Sequence, residues 1–221
     1  MLKFYMHAVL ISEIIAAIFG TIYYFKYKNT PFKYFLIVLW LIVITEIIGA
    51  FYIEWNIYYM DENGVKYNLG LYNLLYIIVY PIFYYIYYKA LETKKYRNAI
   101  KIFFLSFIVI SIINWIFIQD FLTEYSKYPD IIGSLFLTIC VIFYFIELLQ
   151  SEKVIRFHRS VSFWLSVGLL VYYTSIIPFT VVVNNYALAD KALQKMFLIN
   201  HILAIAMYSV FTFGFIWSKK E

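Results

Sequence analysis

The chain has 221 residues, of which 64% are hydrophobic and 14% are charged, and its mean hydropathy is +0.78. A water-soluble domain of this length needs far less apolar surface, so that class is excluded. The formal net charge is +5. Because the basic residues of membrane proteins record topology, this charge does not indicate a nucleic-acid partner.

Seven apolar stretches follow one another along the chain, each long enough to cross about 30 Å of hydrocarbon. They predict the all-α class, a polytopic transmembrane bundle of seven helices that forms a single domain over residues 1–221. The first stretch contains Glu13, and more basic residues follow it than precede it. Signal peptides carry their positive charge before the apolar stretch, so this pattern favours a retained helix. The predicted spans are about 5–25, 32–55, 69–90, 100–120, 131–150, 161–183 and 196–217.

The predicted loops differ in charge from one side of the membrane to the other. Thirteen of the 18 basic residues fall on one side, while most acidic residues share the opposite side with the other five. The positive-inside rule then places the amino terminus outside and the carboxyl terminus in the cytoplasm, as a multi-pass protein of the cell inner membrane. The acidic residues assigned to the outer loops are Glu54, Asp61, Glu62, Asp120, Glu124, Asp130 and Asp190, and residues 61–64 are predicted to form an external turn.

Two carboxylates lie inside the spans, where a charge is costly and needs a reason. Glu13 is near the midpoint of the first span and Glu46 is in the outer half of the second. Small residues follow each of them at positions i+3 and i+4, so each carboxylate shares a helix face suited to close helix packing. We therefore expect both to point into the bundle. The pattern fits a proton, cation or amine site, and it fits equally a protonated structural Glu bonded to a neighbouring helix.

Most other polar residues of the spans fall in the predicted outer half of the membrane, whereas the inner half is mainly Ile, Phe, Tyr and Leu. This asymmetry predicts a polar pocket that is open to the outside and closed below. For His201 alone, an interhelical hydrogen bond is the favoured role. The residues predicted to form the ligand or ion pocket are Glu13, Glu46, Asn73, Asn114, Asn200 and His201.

Catalytic chemistry finds little support. The three histidines, His7, His158 and His201, lie at different depths and are not spaced as metal ligands. No serine or cysteine is paired with a base in a recognisable motif. The last span has no lysine between Lys195 and Lys219 to bind retinal. The sequence therefore predicts a non-enzymatic protein with no metal and no cofactor.

A run of residues in the sixth span, Phe163 to Tyr173 followed by Ile177-Pro178-Phe179, is distinctive. With the segments 147–151 and 215–219, it resembles small, uncharacterised seven-span membrane proteins of Bacteroidota-type bacteria. The resemblance covers the second half of the chain. It implies a setting in sensor-kinase signalling, but it implies no activity and no site residue.

Three functional classes remain open. The favoured one is a sensory or accessory module in which the outer pocket binds a small molecule or peptide and the basic inner loops contact a signalling partner or anionic lipid. The alternative is a small-solute or cation transporter that uses an intramembrane Glu as its coupling group. The third is a structural subunit of a larger membrane complex. The basic loop residues predicted to face a partner or lipid are Lys94, Lys95, Arg97, Lys153, Arg156 and Arg159.

Overall fold

The computed structural model describes residues 2–151, 157–183 and 191–220, and this part of the chain contains seven long α-helices. All seven are long and apolar enough to cross a membrane, so the prediction of an all-helical protein with seven membrane-spanning candidates is confirmed. The helices are α1 (Leu2–Ile22), α2 (Phe35–Ala50), α3 (Leu69–Ala90), α4 (Lys94–Phe117), α5 (Lys127–Gln150), α6 (Val161–Val183) and α7 (Lys191–Trp217).

The helix bounds agree with the predicted spans at α3 and α6 and differ elsewhere. Helix α2 ends at Ala50, five residues before the predicted boundary, and Asn56 in the following segment adopts a positive φ of 55°. Helix α5 begins at Lys127, four residues earlier than predicted. The assignment of Asp130 to an exposed outer loop was wrong, because this residue lies in the first turn of α5 and is buried.

A short β-hairpin connects α2 to α3. Strand β1 (Tyr59–Met60) pairs antiparallel with β2 (Lys66–Tyr67). In the turn between them, Oδ1 of Asp61 accepts hydrogen bonds from the backbone N–H groups of Asn63 and Val65, and Gly64 adopts φ +78°, which only glycine adopts without strain. The predicted turn at residues 61–64 is confirmed.

Six of the helices form a closed ring, in which each packs against the next in the order α1, α2, α3, α5, α6, α7 and back to α1. Helix α4 lies outside this ring and packs against α3 and α5. Its inner face carries Phe107, Ser111 and Asn114, while Ile102 and Leu105 on the other face are well exposed. Such an apolar outer face is what a lipid-facing helix requires.

The two ends of the ring differ in charge. We call the end with residues 51–68 and 118–126 the acidic end, and the end with residues 23–34, 91–93, 157–160 and 218–220 the basic end. At the basic end, the Lys26 ammonium donates to the last carbonyls of α7, at Phe215 (2.8 Å) and Ile216 (2.7 Å). A cation at a helix carboxyl terminus satisfies groups that the helix itself leaves unbonded.

The half of the ring next to the basic end is densely packed with aromatic side chains, and we call it the packed half. Phe35 meets Phe211 at a centroid distance of 5.0 Å, edge to face. Buried hydroxyl groups here bond to neutral oxygens: Tyr27 donates to the Gly20 carbonyl at 2.7 Å. The buried Tyr27 hydroxyl is thus satisfied by the backbone of the same bundle.

Candidate functional site

The other half of the ring, next to the acidic end, contains a cavity of about 460 Å³ between α3, α5, α6 and α7. Its volume suits a small organic molecule. Aromatic rings and a few polar groups form its wall, and they come from the amino-terminal halves of α3, α5 and α7 and the carboxyl-terminal half of α6. The lining residues are Leu69, Tyr76, Tyr80, Tyr125, Asp130, Tyr172, Tyr173, Ile176, Thr180, Phe197 and Asn200.

Asp130 is the acidic group of the cavity wall and is only 6% exposed. Its Oδ1 accepts a hydrogen bond from the Tyr80 hydroxyl (2.6 Å), and its Oδ2 accepts one from Tyr125 (2.5 Å) and a longer one from Thr180 (3.4 Å). Tyr125 precedes α5, and its burial, reinforced by the nearby Asp130, raises its pKa well above the usual value. The Tyr125 hydroxyl therefore keeps its proton and acts as a donor.

Glu13 on α1 and Glu46 on α2 form a pair of acids that is separate from Asp130; we call them the glutamate pair. Glu13 is 4% exposed, and its Oε2 has no hydrogen-bond partner among the described residues. Glu46 is half-buried, and its Oε2 accepts a hydrogen bond from the Tyr72 hydroxyl at 3.3 Å. The two carboxyl groups are close enough to interact electrostatically. Both side chains therefore point into the bundle, as predicted.

Small residues bring these carboxylates into the interior. Ala16 and Ala17, one turn after Glu13, are fully buried. A Cβ atom placed on Gly49, three residues after Glu46, would lie 2.3 Å from the Tyr72 hydroxyl. Gly49 thus leaves the space through which Tyr72 reaches Glu46, which agrees with the role expected of small residues on a packed helix face.

Tyr172 lies near both Asp130 and the glutamate pair. It lines the cavity, and its side chain interacts electrostatically with Asp130, Glu13 and Glu46. Asn200, beside it on α7, also lines the cavity and interacts with Tyr172, while its Oδ1 has no hydrogen-bond partner in the described part of the chain. The cavity and the glutamate pair therefore belong to one continuous polar region.

His201 lies at the edge of this region. One ring nitrogen, Nδ1, bonds to the carbonyl oxygen of Phe197 on the preceding turn of α7. The imidazole also interacts favourably with the Glu46 carboxylate on α2. The hydrogen bond of His201 therefore lies within α7, whereas the sequence predicted an interhelical one.

Of the six predicted pocket residues only Asn200 lines the cavity, and Asn73 and Asn114 are buried elsewhere in the bundle. Asn73 donates to the carbonyls of Phe121 (2.7 Å) and Glu124 (2.9 Å) and accepts from the Ser126 N–H (3.0 Å). It holds the segment between α4 and α5 in place. The Asn114 amide has no hydrogen-bond partner among the described residues.

Neither Lys nor Arg pairs with Glu13, Glu46 or Asp130 in the residues that the structure describes. Hydroxyl groups and the His201 imidazole supply the favourable interactions of Glu13, Glu46 and Asp130, and no Lys or Arg side chain contributes. Buried acids without counter-charges are costly, and a positively charged ligand lowers that cost. In the same part of the chain, no group of three or more His, Cys, Asp or Glu side chains is placed to hold a metal ion.

The basic loop residues lie at the opposite end of the ring. Lys94 and Lys95 are exposed in the first turn of α4, Arg97 stacks on the Tyr88 ring at 4.5 Å, and Arg159 is exposed. Lys153 and Arg156 fall outside the described residues. No partner-binding role of these side chains is tested here, and it stays a prediction.

Several cavity residues escaped the sequence analysis, namely Asp130, Tyr76, Tyr80, Tyr125, Tyr172, Tyr173 and Thr180. Tyrosine is common at membrane interfaces, so its presence in a span does not by itself indicate a cavity. One signal was available: Asp130 follows Pro129 near the start of an apolar stretch, where a helix that begins a turn earlier carries the acid inside.

Comparison of the chain with protein family models, with curated proteins and with solved structures finds no match. The resemblance to small seven-span proteins of Bacteroidota-type bacteria therefore stays a prediction, and the function is argued from the site alone.

Proposed function

We propose that this protein is a membrane-embedded ligand-binding protein whose cavity binds a small organic cation, such as an amine or a quaternary ammonium ion. It acts as a non-enzymatic sensory or accessory module, with its amino terminus outside the cell inner membrane. The single observation that carries this proposal is a cavity lined by several tyrosine rings and an acid, Asp130, that no basic side chain among the described residues neutralises.

Each part of the wall suits a cation. Tyrosine faces attract ammonium groups through the ring quadrupole, and aromatic cages of this kind recognise quaternary ammonium ligands. Asp130 adds attraction in a region of low dielectric constant. A negatively charged ligand would instead be repelled by the same group, and a neutral sugar would find few unbonded donors, because the hydroxyls of Tyr80 and Tyr125 are already directed at Asp130.

The proposed output passes through a second protein. The described chain has no helix or sheet large enough to form a cytoplasmic domain outside the bundle. The exposed Lys94, Lys95 and Arg159 at the basic end offer positive charge for an acidic surface of a partner or for anionic lipid head groups.

A matched pair of probes tests the ligand class. Choline and its uncharged carbon isostere, 3,3-dimethylbutanol, have nearly the same shape and differ in charge. We expect choline, but not the isostere, to raise the melting temperature of the purified protein in detergent or nanodiscs. Asp130→Asn is expected to weaken choline binding about tenfold or more, the equivalent of at least about 1.4 kcal/mol.

Two variants complete this test. Asp120→Asn changes an exposed acid at the same end of the molecule and should leave choline binding unchanged. If Asp130→Asn does not fold, Tyr76→Leu removes one ring from the cavity wall without removing a hydrogen bond to Asp130. Equal responses to the two probes, or choline affinity that survives both substitutions, would rule out a cation-binding cavity.

Transport is the second function to consider, because the buried, unbonded carboxylate oxygen of Glu13 lies inside the ring rather than in a loop. If the protein is a carrier, radiolabelled choline should enter proteoliposomes that contain it. Glu46→Gln should then abolish this flux while leaving choline binding intact. Binding without flux in the native protein favours the sensory module, and flux that persists in the variant removes Glu46 from the transport mechanism.

A further inference from the structure

The glutamate pair, Glu13 and Glu46, does not line the cavity and is a separate candidate binding site. Glu13 is 4% exposed, and its Oε2 lacks any hydrogen-bond partner among the described residues. A buried acceptor left unbonded destabilises the folded state, and more so when the group is charged. The second carboxyl group, on Glu46, interacts with the first and adds repulsion when both are ionised.

The groups facing this pair cannot neutralise two charges. Helix α3 contributes the Tyr72 hydroxyl, which donates to Glu46, and α6 contributes Tyr172. Helix α7 contributes Tyr208 near Glu13 and the imidazole of His201 near Glu46. Three of these four groups are neutral phenols, and His201 is beside only one of the two acids.

We propose that Glu13, with Glu46 beside it, forms a binding site for one monovalent cation, a proton or a sodium ion. One positive charge here lowers the repulsion between the two carboxylates and gives the unbonded Oε2 of Glu13 a partner.

This site is spatially distinct from the cavity, but it lies within the same polar region. Tyr172 interacts with Glu13 and Glu46 on one side and with Asp130 on the other. A cation between the glutamates and a cation in the cavity are therefore like charges in one region of low dielectric constant, and each is expected to weaken binding of the other.

Melting temperatures of the full chain in nanodiscs test the site, because a cation that binds only the folded state stabilises it by mass action. One series replaces KCl with NaCl at constant ionic strength and pH 8. A second series runs from pH 9 to pH 6 in KCl. A sodium site raises the melting temperature in the first series, and a proton site raises it in the second. In both cases Glu13→Gln, which removes one of the two charges, should abolish the response.

Glu54→Gln is the matched control, since it changes an exposed acid at the acidic end and should respond like the native protein. Glu46→Gln repeats the test if Glu13→Gln does not fold. Native protein that responds to neither ion, or a Glu13→Gln variant that responds as strongly as the native protein, overturns the proposal. Either result leaves choline binding in the cavity unaffected, so the two proposals fail separately.

Discussion

The packed half and the cavity half of the ring are both rich in buried tyrosines, but their hydroxyl groups bond to different partners. In the packed half the bonded hydroxyls meet neutral oxygens, as when Tyr87 and Ser166 pair at 2.9 Å. In the cavity half, the hydroxyls of Tyr80 and Tyr125 converge on the carboxylate of Asp130. A carboxylate accepts several donors, so rings gather around it from different helices and leave space between them. The partner of the hydroxyl, not the number of tyrosines, decides whether a site is formed.

The largest expected effect is overpacking of the packed half by Gly214→Ala. A Cβ atom at Gly214 would lie 2.5 Å from Cβ of Trp164 on α6, so the helices themselves must move apart. We expect a loss of about 2 kcal/mol in stability, measured as a lower melting temperature. In Gly20→Ala the new atom would lie 3.2 Å from the end of the Phe215 ring, which can shift, and the loss should be smaller. Equal losses would show that α6 and α7 are not in close contact there.

Removal of a single hydroxyl from each half separates their roles. Tyr87→Phe deletes the bond to Ser166 in the packed half and should cost about 1 kcal/mol of stability without changing choline affinity. Tyr80→Phe deletes a donor to Asp130 and should change choline affinity as well as stability. Melting curves with and without choline measure both quantities. An equal change of choline affinity in the two variants would contradict the division into two halves.

The smallest expected effect on stability comes from substitution of an exposed acid, Asp120. Hydrogen bonds from the Thr123 hydroxyl and from the backbone N–H groups of Thr123 and Leu122 hold the pKa of Asp120 below its usual value. The folded state therefore gains stability from this carboxylate above the usual pKa, and loses it as the pH falls through the lowered pKa. Asp120→Asn should lower the melting temperature by about 1 °C at pH 7. The difference should disappear toward pH 3, and a constant difference would contradict the assignment.

The sequence was sufficient to predict the seven helices and the turn at residues 61–64, because apolar length and turn chemistry are local properties. The burial of Glu13 could also be predicted, because small residues follow it on the same helix face. The prediction that Glu13, Glu46, Asn200 and His201 form one ligand pocket stays a prediction.

Other parts of the site depend on which helices are neighbours, and hydropathy does not record this. Helix α4 leaves the ring, so α3 packs directly on α5 and Tyr80 reaches Asp130. That arrangement directs Asn73 toward the segment after α4 rather than into the cavity. The tyrosines were overlooked because the same residue type is common at membrane interfaces, and only the fold distinguishes an anchor from a hydrogen-bond donor to a buried acid.

Helix α5 carries an acid near each of its ends, and each acid accepts hydrogen bonds from other segments of the chain. Asp130 is held by hydroxyls around the cavity, and Glu147 accepts the backbone N–H groups of Glu92 (2.5 Å) and Thr93 (3.2 Å), where α4 starts. About 26 Å of continuous helix separates these acids, at 1.5 Å per residue. Helix α5 thus joins the cavity wall at Asp130 to the segment that immediately precedes the lysines of α4.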